Sequence, residues 1–160
     1  MSELTFEEYH FYSPYYVDME SMVNKPFVYE QFLKRIYGLP KINTFFLENF
    51  KTAEFVKKVI EANGLNKGQG KEIARVIRDL LLTDAYLGNV VNLIQEKLNV
   101  NEMKAKTIAG LIVSELFAPI LDDLKKMHIE KFAKNLPRPQ LQNNLPLGED
   151  DRIVDLKNNL

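Results

Sequence analysis

VKKVIEANGLNKGQGKEIARVIRDLLL at residues 56–82 lies without a gap over VNLIQEKLNVNEMKAKTIAGLIVSELF at residues 91–117. Val56 falls on Val91, Glu61 on Glu96, Asn66 on Asn101, Lys71 on Lys106, Ile73-Ala74 on Ile108-Ala109, Ile77 on Ile112 and Leu81 on Leu116. Val59, Leu65, Val76 and Leu82 meet the similar residues Ile94, Val100, Leu111 and Phe117. A period of about 35 residues has room for two helices and two turns, so the pair reads as a duplicated helical hairpin. Val59, Ile73 and Ile77, with their counterparts Ile94, Ile108 and Ile112, are expected to share one continuous core.

Within the first copy Phe55, Val56, Val59 and Ile60 recur at helical spacing, and Gly64 supplies a stop. A second helix starts near Asn66 and puts Ile73, Ala74, Ile77, Leu80 and Leu81 on one face. In the second copy Thr83-Asp84 are expected to cap a helix to about Leu98, and Asn101 to cap the next. Pro119 should bend that helix, since it has no N–H to donate, and the apolar pattern resumes from Ile120 to Phe132. Upstream, Asn24-Lys25-Pro26 reads as a capped helix start, Gly38 and Pro40 as its end, Ile42 to Phe50 as a short aromatic helix and Thr52 as the next cap. Period-two alternation is absent. The fold class is all-α, a compact bundle of about six helices.

Both ends differ from this body. Residues 1–24 hold Glu3, Glu7, Glu8, Asp18 and Glu20 with no Lys or Arg, so the remainder of a chain whose charge sums to −1 is basic. The same stretch carries Phe6, Tyr9, Phe11, Tyr12, Tyr15 and Tyr16 without clear periodicity, and reads as an extended acidic aromatic arm, packed on the basic helices or offered to a partner. Residues 25–136 form the helical domain. From 137 to 160, Pro137, Pro139 and Pro146 with interspersed Gln and Asn read as a linker, and the Ile153, Val154 and Leu156 cluster beyond it has the form of a docking peptide.

Composition narrows the chemistry. The 160 residues contain no cysteine, which removes disulfides, thiolate metal sites and thiol nucleophiles. No run approaches the ~18 apolar residues of a membrane span, and the first residues lack the basic and apolar regions of a secretory signal; a soluble cytoplasmic protein is expected. His10 and His128 have no companion at ligand spacing, His128 reads as a partly exposed helical residue, and no serine sits in a nucleophile elbow. No catalytic residue, metal site or cofactor is nominated.

One stretch has a chemical flavour. Gly64 to Lys71 lacks the first glycine of a Walker loop and has Glu72 where that loop needs Ser or Thr. Gly68-Gln69-Gly70, followed by Ala74 and Ile77, resembles the helix-hairpin-helix DNA-binding motif. That resemblance implies backbone N–H groups facing a phosphate at a helix N-terminus, with Lys67, Gly68, Gly70, Lys71 and Arg75 as its contacts. The second copy has Met103 and Ala105 in place of the two glycines. The leading expectation is a non-catalytic protein–protein interaction or assembly module, with a protein partner or self-association through Tyr9, Phe11, Tyr12, Tyr15, Tyr16, Ile153, Val154 and Leu156. The alternative is a nucleic-acid-binding protein using the turn at 64–75.

Overall fold

The computed structural model describes residues 3–133, and among them every regular element is helical. The chain divides into two compact units, one spanning residues 1–82 and one beginning at Thr83. The boundary falls between the two matched hairpins, where the sequence suggested a single helical domain from 25 to 136. The tail residues Ile153, Val154 and Leu156 lie outside the described residues.

The first unit contains α1 (Phe6–Tyr12), α2 (Met19–Val23), α3 (Pro26–Tyr37), α4 (Lys41–Glu48), α5 (Phe50–Asn63) and α6 (Lys67–Leu81). Helices α5 and α6 pack as a hairpin, α1 lies against both, and α4 also contacts both. Asn49 caps α5 by accepting from the Lys51 amide at 2.7 Å. Gly64 ends it in the left-handed region at φ 63°, which its lack of a Cβ permits, and its N–H returns to the Ile60 carbonyl. Asn66 and Gln69 then cap each other reciprocally at the start of α6.

The second unit contains α7 (Val90–Leu98), α8 (Glu102–Leu111) and α9 (Leu121–Phe132), making nine α-helices among the described residues. Asn99 takes the left-handed conformation at φ 55° where the first hairpin has Gly64, and Asn101 caps α8 as Asn66 caps α6. The six matched positions Val59, Ile73, Ile77, Ile94, Ile108 and Ile112 are at most 1% exposed, so each hairpin turns its shared apolar pattern inward.

Several local expectations need correction. The N-terminal arm is not extended, because α1 and α2 occupy much of it. Lys25, not Asn24, is the N-cap of α3, whose first residue Pro26 has no N–H needing a cap. Thr52 lies inside α5 and its hydroxyl donates to the Phe46 carbonyl at 2.8 Å. Thr83 has φ 59° and caps nothing; a 3-10 turn at Leu87–Asn89 leads into α7 instead. Pro119 follows a widened π turn at Ile112–Leu116, in which the Phe117 amide reaches back five residues to Ile112 at 2.9 Å, and a 3-10 turn at Ala118–Ile120 precedes α9. His128 is fully buried in the second unit, where its Nδ1 accepts from the Leu87 amide at 3.1 Å between the rings of Tyr86 and Phe132.

Gly70 is the position on which the first unit closes. A Cβ there would stand 2.2 Å from Ile60 Cδ1 and 2.6 Å from Tyr12 Cε1, while one on Gly110 in α8 would meet nothing within 4 Å. Gly70→Ala is expected to destabilise by about 1–3 kcal/mol through overpacking, and Gly110→Ala to stabilise by up to about 1 kcal/mol through helix propensity. Urea unfolding of the two variants tests this. A stabilised Gly70→Ala variant would contradict the close approach of Tyr12.

Candidate interaction surface

The N-terminal segment folds locally before it docks. Thr5 Oγ1 accepts from the Glu8 amide at 3.1 Å, while Glu8 Oε2 accepts from the Thr5 amide at 2.9 Å, a capping box that starts α1. Its signature, Thr5-Phe6-Glu7-Glu8, is present in the sequence. The segment was read as extended because its crowded aromatics mask the helical period.

Docking joins the acidic segment to the basic hairpin side chain by side chain. Lys57 Nζ lies 2.7 Å from Glu8 Oε2 and donates to the Glu3 carbonyl at 2.7 Å, with its side chain only 8% exposed. Arg75 reaches Asp18 at 2.9 Å and also pairs with Glu72; Arg78 pairs with Asp18 and Asp79. Lys67 approaches Glu7 at 3.6 Å, and the ammonium groups of Lys67 and Lys71 sit 4.9 and 4.2 Å from the centre of the Phe11 ring. Tyr12 is buried over Gly70.

The residues nominated for phosphate are therefore engaged elsewhere. Lys67, Lys71 and Arg75 face the acidic segment, and Gly70 accommodates Tyr12. Gly68 lies in the first turn of α6, beside the Asn66 side chain whose oxygen already serves the Gln69 amide. A phosphate at this helix start would compete with an existing cap, which weighs against the helix-hairpin-helix reading.

The other nominated aromatics form a chain of rings. Phe6 and His10 are 4.4 Å apart between centroids, His10 and Tyr16 4.9 Å, Tyr16 and Tyr15 4.7 Å, and Tyr15 and Phe32 5.9 Å. Tyr9 branches from this chain, 5.5 Å from Tyr16 and 5.2 Å from Phe50. The end of α4 supports it: Tyr9 Oη donates to the Glu48 carbonyl at 3.1 Å, and the Tyr15 amide donates to the Leu47 carbonyl at 3.0 Å. Burial raises the Tyr15 hydroxyl to about 12, with further contributions from Tyr29, Glu48, Tyr16 and Tyr37.

Exposure shows what the sequence reading missed. Phe6, Phe27 and Tyr37 are 80%, 72% and 77% exposed, and Val23, Val28, Ile42, Phe45 and Phe50 are exposed as well. Phe27 was assigned to the buried side of α3, but Tyr29, Phe32, Leu33 and Ile36 are the more enclosed positions. Seven apolar or aromatic residues in the twelve of α3 exceed what one buried face can hold. That excess was the available signal.

The segment's charges give its docking a pH dependence. The Lys57 ammonium and the Thr5 amide hold Glu8 below its ordinary value of 4.5. Burial works against the ionised form of Asp18, but Arg75 and Arg78 outweigh it and bring the group below 3.8. Values depressed by folding mean that the stabilisation is complete above the unfolded-state values and is lost as pH falls through the folded ones. Thermal unfolding followed between about pH 6 and pH 3 should lose stability on acidification, and Asp18→Asn should flatten that loss. An unchanged pH profile in Asp18→Asn would show that the Arg75 and Arg78 pairs contribute nothing. Comparison with protein-family models, curated proteins and solved structures finds no match to this chain.

Proposed function

We propose that the chain is a non-catalytic protein-interaction or assembly module whose first unit presents an aromatic contact surface. One observation carries this reading. Among the described residues, eight large apolar side chains of the first unit are exposed, namely Phe6, Val23, Phe27, Val28, Tyr37, Ile42, Phe45 and Phe50, against Met103 alone in the second. Apolar groups concentrated this way mark surfaces that are covered in use, and tyrosine and phenylalanine supply large contact area at low entropic cost.

The reading also places the nominated residues in separate roles. Tyr9, Tyr15 and Tyr16 belong to the ring chain that joins Phe6 to Phe50, whereas Phe11 and Tyr12 serve the internal docking of the segment. Ile153, Val154 and Leu156 remain a proposed second contact in the tail. No helix among the described residues is long and apolar enough to cross a membrane.

Affinity capture and light scattering with the full chain test the proposal. Phe6→Ser combined with Phe50→Ser should change stability by no more than about 0.5 kcal/mol, because both side chains are exposed, while reducing self-association or capture of a protein partner. Undiminished association would remove the aromatic surface as the contact. Retention on nucleic acid at about 50 mM salt, lost on replacing Lys67 and Lys71 by Glu, would favour the nucleic-acid reading instead.

A further inference from the structure

The aromatic surface is not uniformly apolar. Tyr9, Tyr15 and Tyr16 are half-exposed, and Glu48 is exposed at the last residue of α4 beside them. That end of α4 is the negative pole of the helix and has no basic residue in its last turn. Tyrosine faces add the negative side of their ring quadrupole. The convergence of Tyr16, Tyr29, Tyr37 and Glu48 on the Tyr15 hydroxyl, felt as an upward push on its ionisation, places further phenolic groups around the same carboxylate. A few residues away, the same segment already holds cations on a ring, with Lys67 and Lys71 over Phe11.

Resting on the interaction-module reading, we infer that the surface formed by Tyr9, Tyr15, Tyr16 and Glu48 receives a cationic side chain, an arginine or lysine carried on a segment of a partner protein. The ring faces take the apolar stem and the spread charge of a guanidinium, and the Glu48 carboxylate takes its N–H groups. Arginine fits better than lysine, because its planar, weakly hydrated head stacks on a ring while still donating to a carboxylate. Lys51, exposed in the first turn of α5 and three residues beyond Glu48, opposes the incoming charge.

Fluorescein-labelled decaarginine, titrated by anisotropy into the full chain at low salt, tests this, with decalysine and decaglutamate in parallel. Decaarginine is expected to bind more tightly than decalysine, and decaglutamate not at all. Glu48→Gln and Tyr16→Leu should each weaken decaarginine binding about three- to fivefold, as loss of one exposed cation–ring or cation–carboxylate contact implies. Lys51→Gln should strengthen it. Glu130→Gln, at an exposed carboxylate of α9, should leave it unchanged. A circular dichroism melt establishes that Tyr16→Leu is folded, and Glu48→Gln alters only a surface carboxylate.

Absence of decaarginine binding, or equal losses in Glu48→Gln and Glu130→Gln, would overturn the inference. So would competition by free tetramethylammonium as effective as that of unlabelled decaarginine, since the surface would then be a small-molecule ammonium site. Partner capture that depends on Phe6 and Phe50 while decaarginine fails to bind would leave the module reading standing and remove this one. Decaarginine binding with no effect of Phe6→Ser and Phe50→Ser on association would do the reverse.

Discussion

The first unit depends on one close approach, the ring of Tyr12 lying over a backbone position that has no side chain. Gly70 sits in the second turn's reach of the α6 N-terminus, where glycine costs helix stability of about 1 kcal/mol, and its Cβ position is filled by Tyr12 and Ile60. Burying an aromatic side chain offsets that cost, at about 25 cal/mol per Å² of apolar surface removed from water. Once Tyr12 is seated, α1 lies on both helices of the hairpin, and the carboxylates on and after α1 fall opposite Lys57, Lys67, Arg75 and Arg78. The ion pairs therefore fix where the segment sits more than how strongly it is held. Removing Lys57 or Glu8 alone would still be costly, since it leaves the other charge enclosed without its partner.

Much of this architecture was legible. Gly64, Asn66 and Asn101 announced helix ends because each cap is a short-range interaction between a named side chain and a nearby backbone group. The matched apolar positions announced two inward-facing hairpins because burial imposes a period on sequence. What stayed hidden depended on distant partners. His128 is buried because a loop amide 41 residues away needs an acceptor, which no periodicity along α9 reveals. The acceptor role puts the imidazole proton on Nε2. Asn49 caps α5 in place of Thr52 because α4 ends immediately before it and the Thr52 hydroxyl is drawn back to Phe46.

The candidate surface was legible in content and not in division of labour. Its aromatic residues stood out by composition, yet whether a given ring turned inward was set by Gly70, by the cations over Phe11 and by the C-terminal end of α4. The glycine turn shows the same limit. Its spacing resembled a phosphate loop, while its second glycine answers to a ring that lies 58 residues earlier in the chain.

Two similar hairpins in one chain present the N-terminal segment with a choice of docking place while the polypeptide is still collapsing. The alternative is disfavoured at nearly every contact. Thirty-five positions after Lys57, Lys67, Gly70, Arg75 and Arg78 stand Asn92, Glu102, Ala105, Gly110 and Val113, so four counter-charges are missing and a methyl group fills the seat of the ring. Only Lys71 keeps a basic counterpart, Lys106, which pairs with Glu102. Divergence of the copies thus acts as an address: it removes a kinetic trap that an exact repeat would have built into the folding of the molecule.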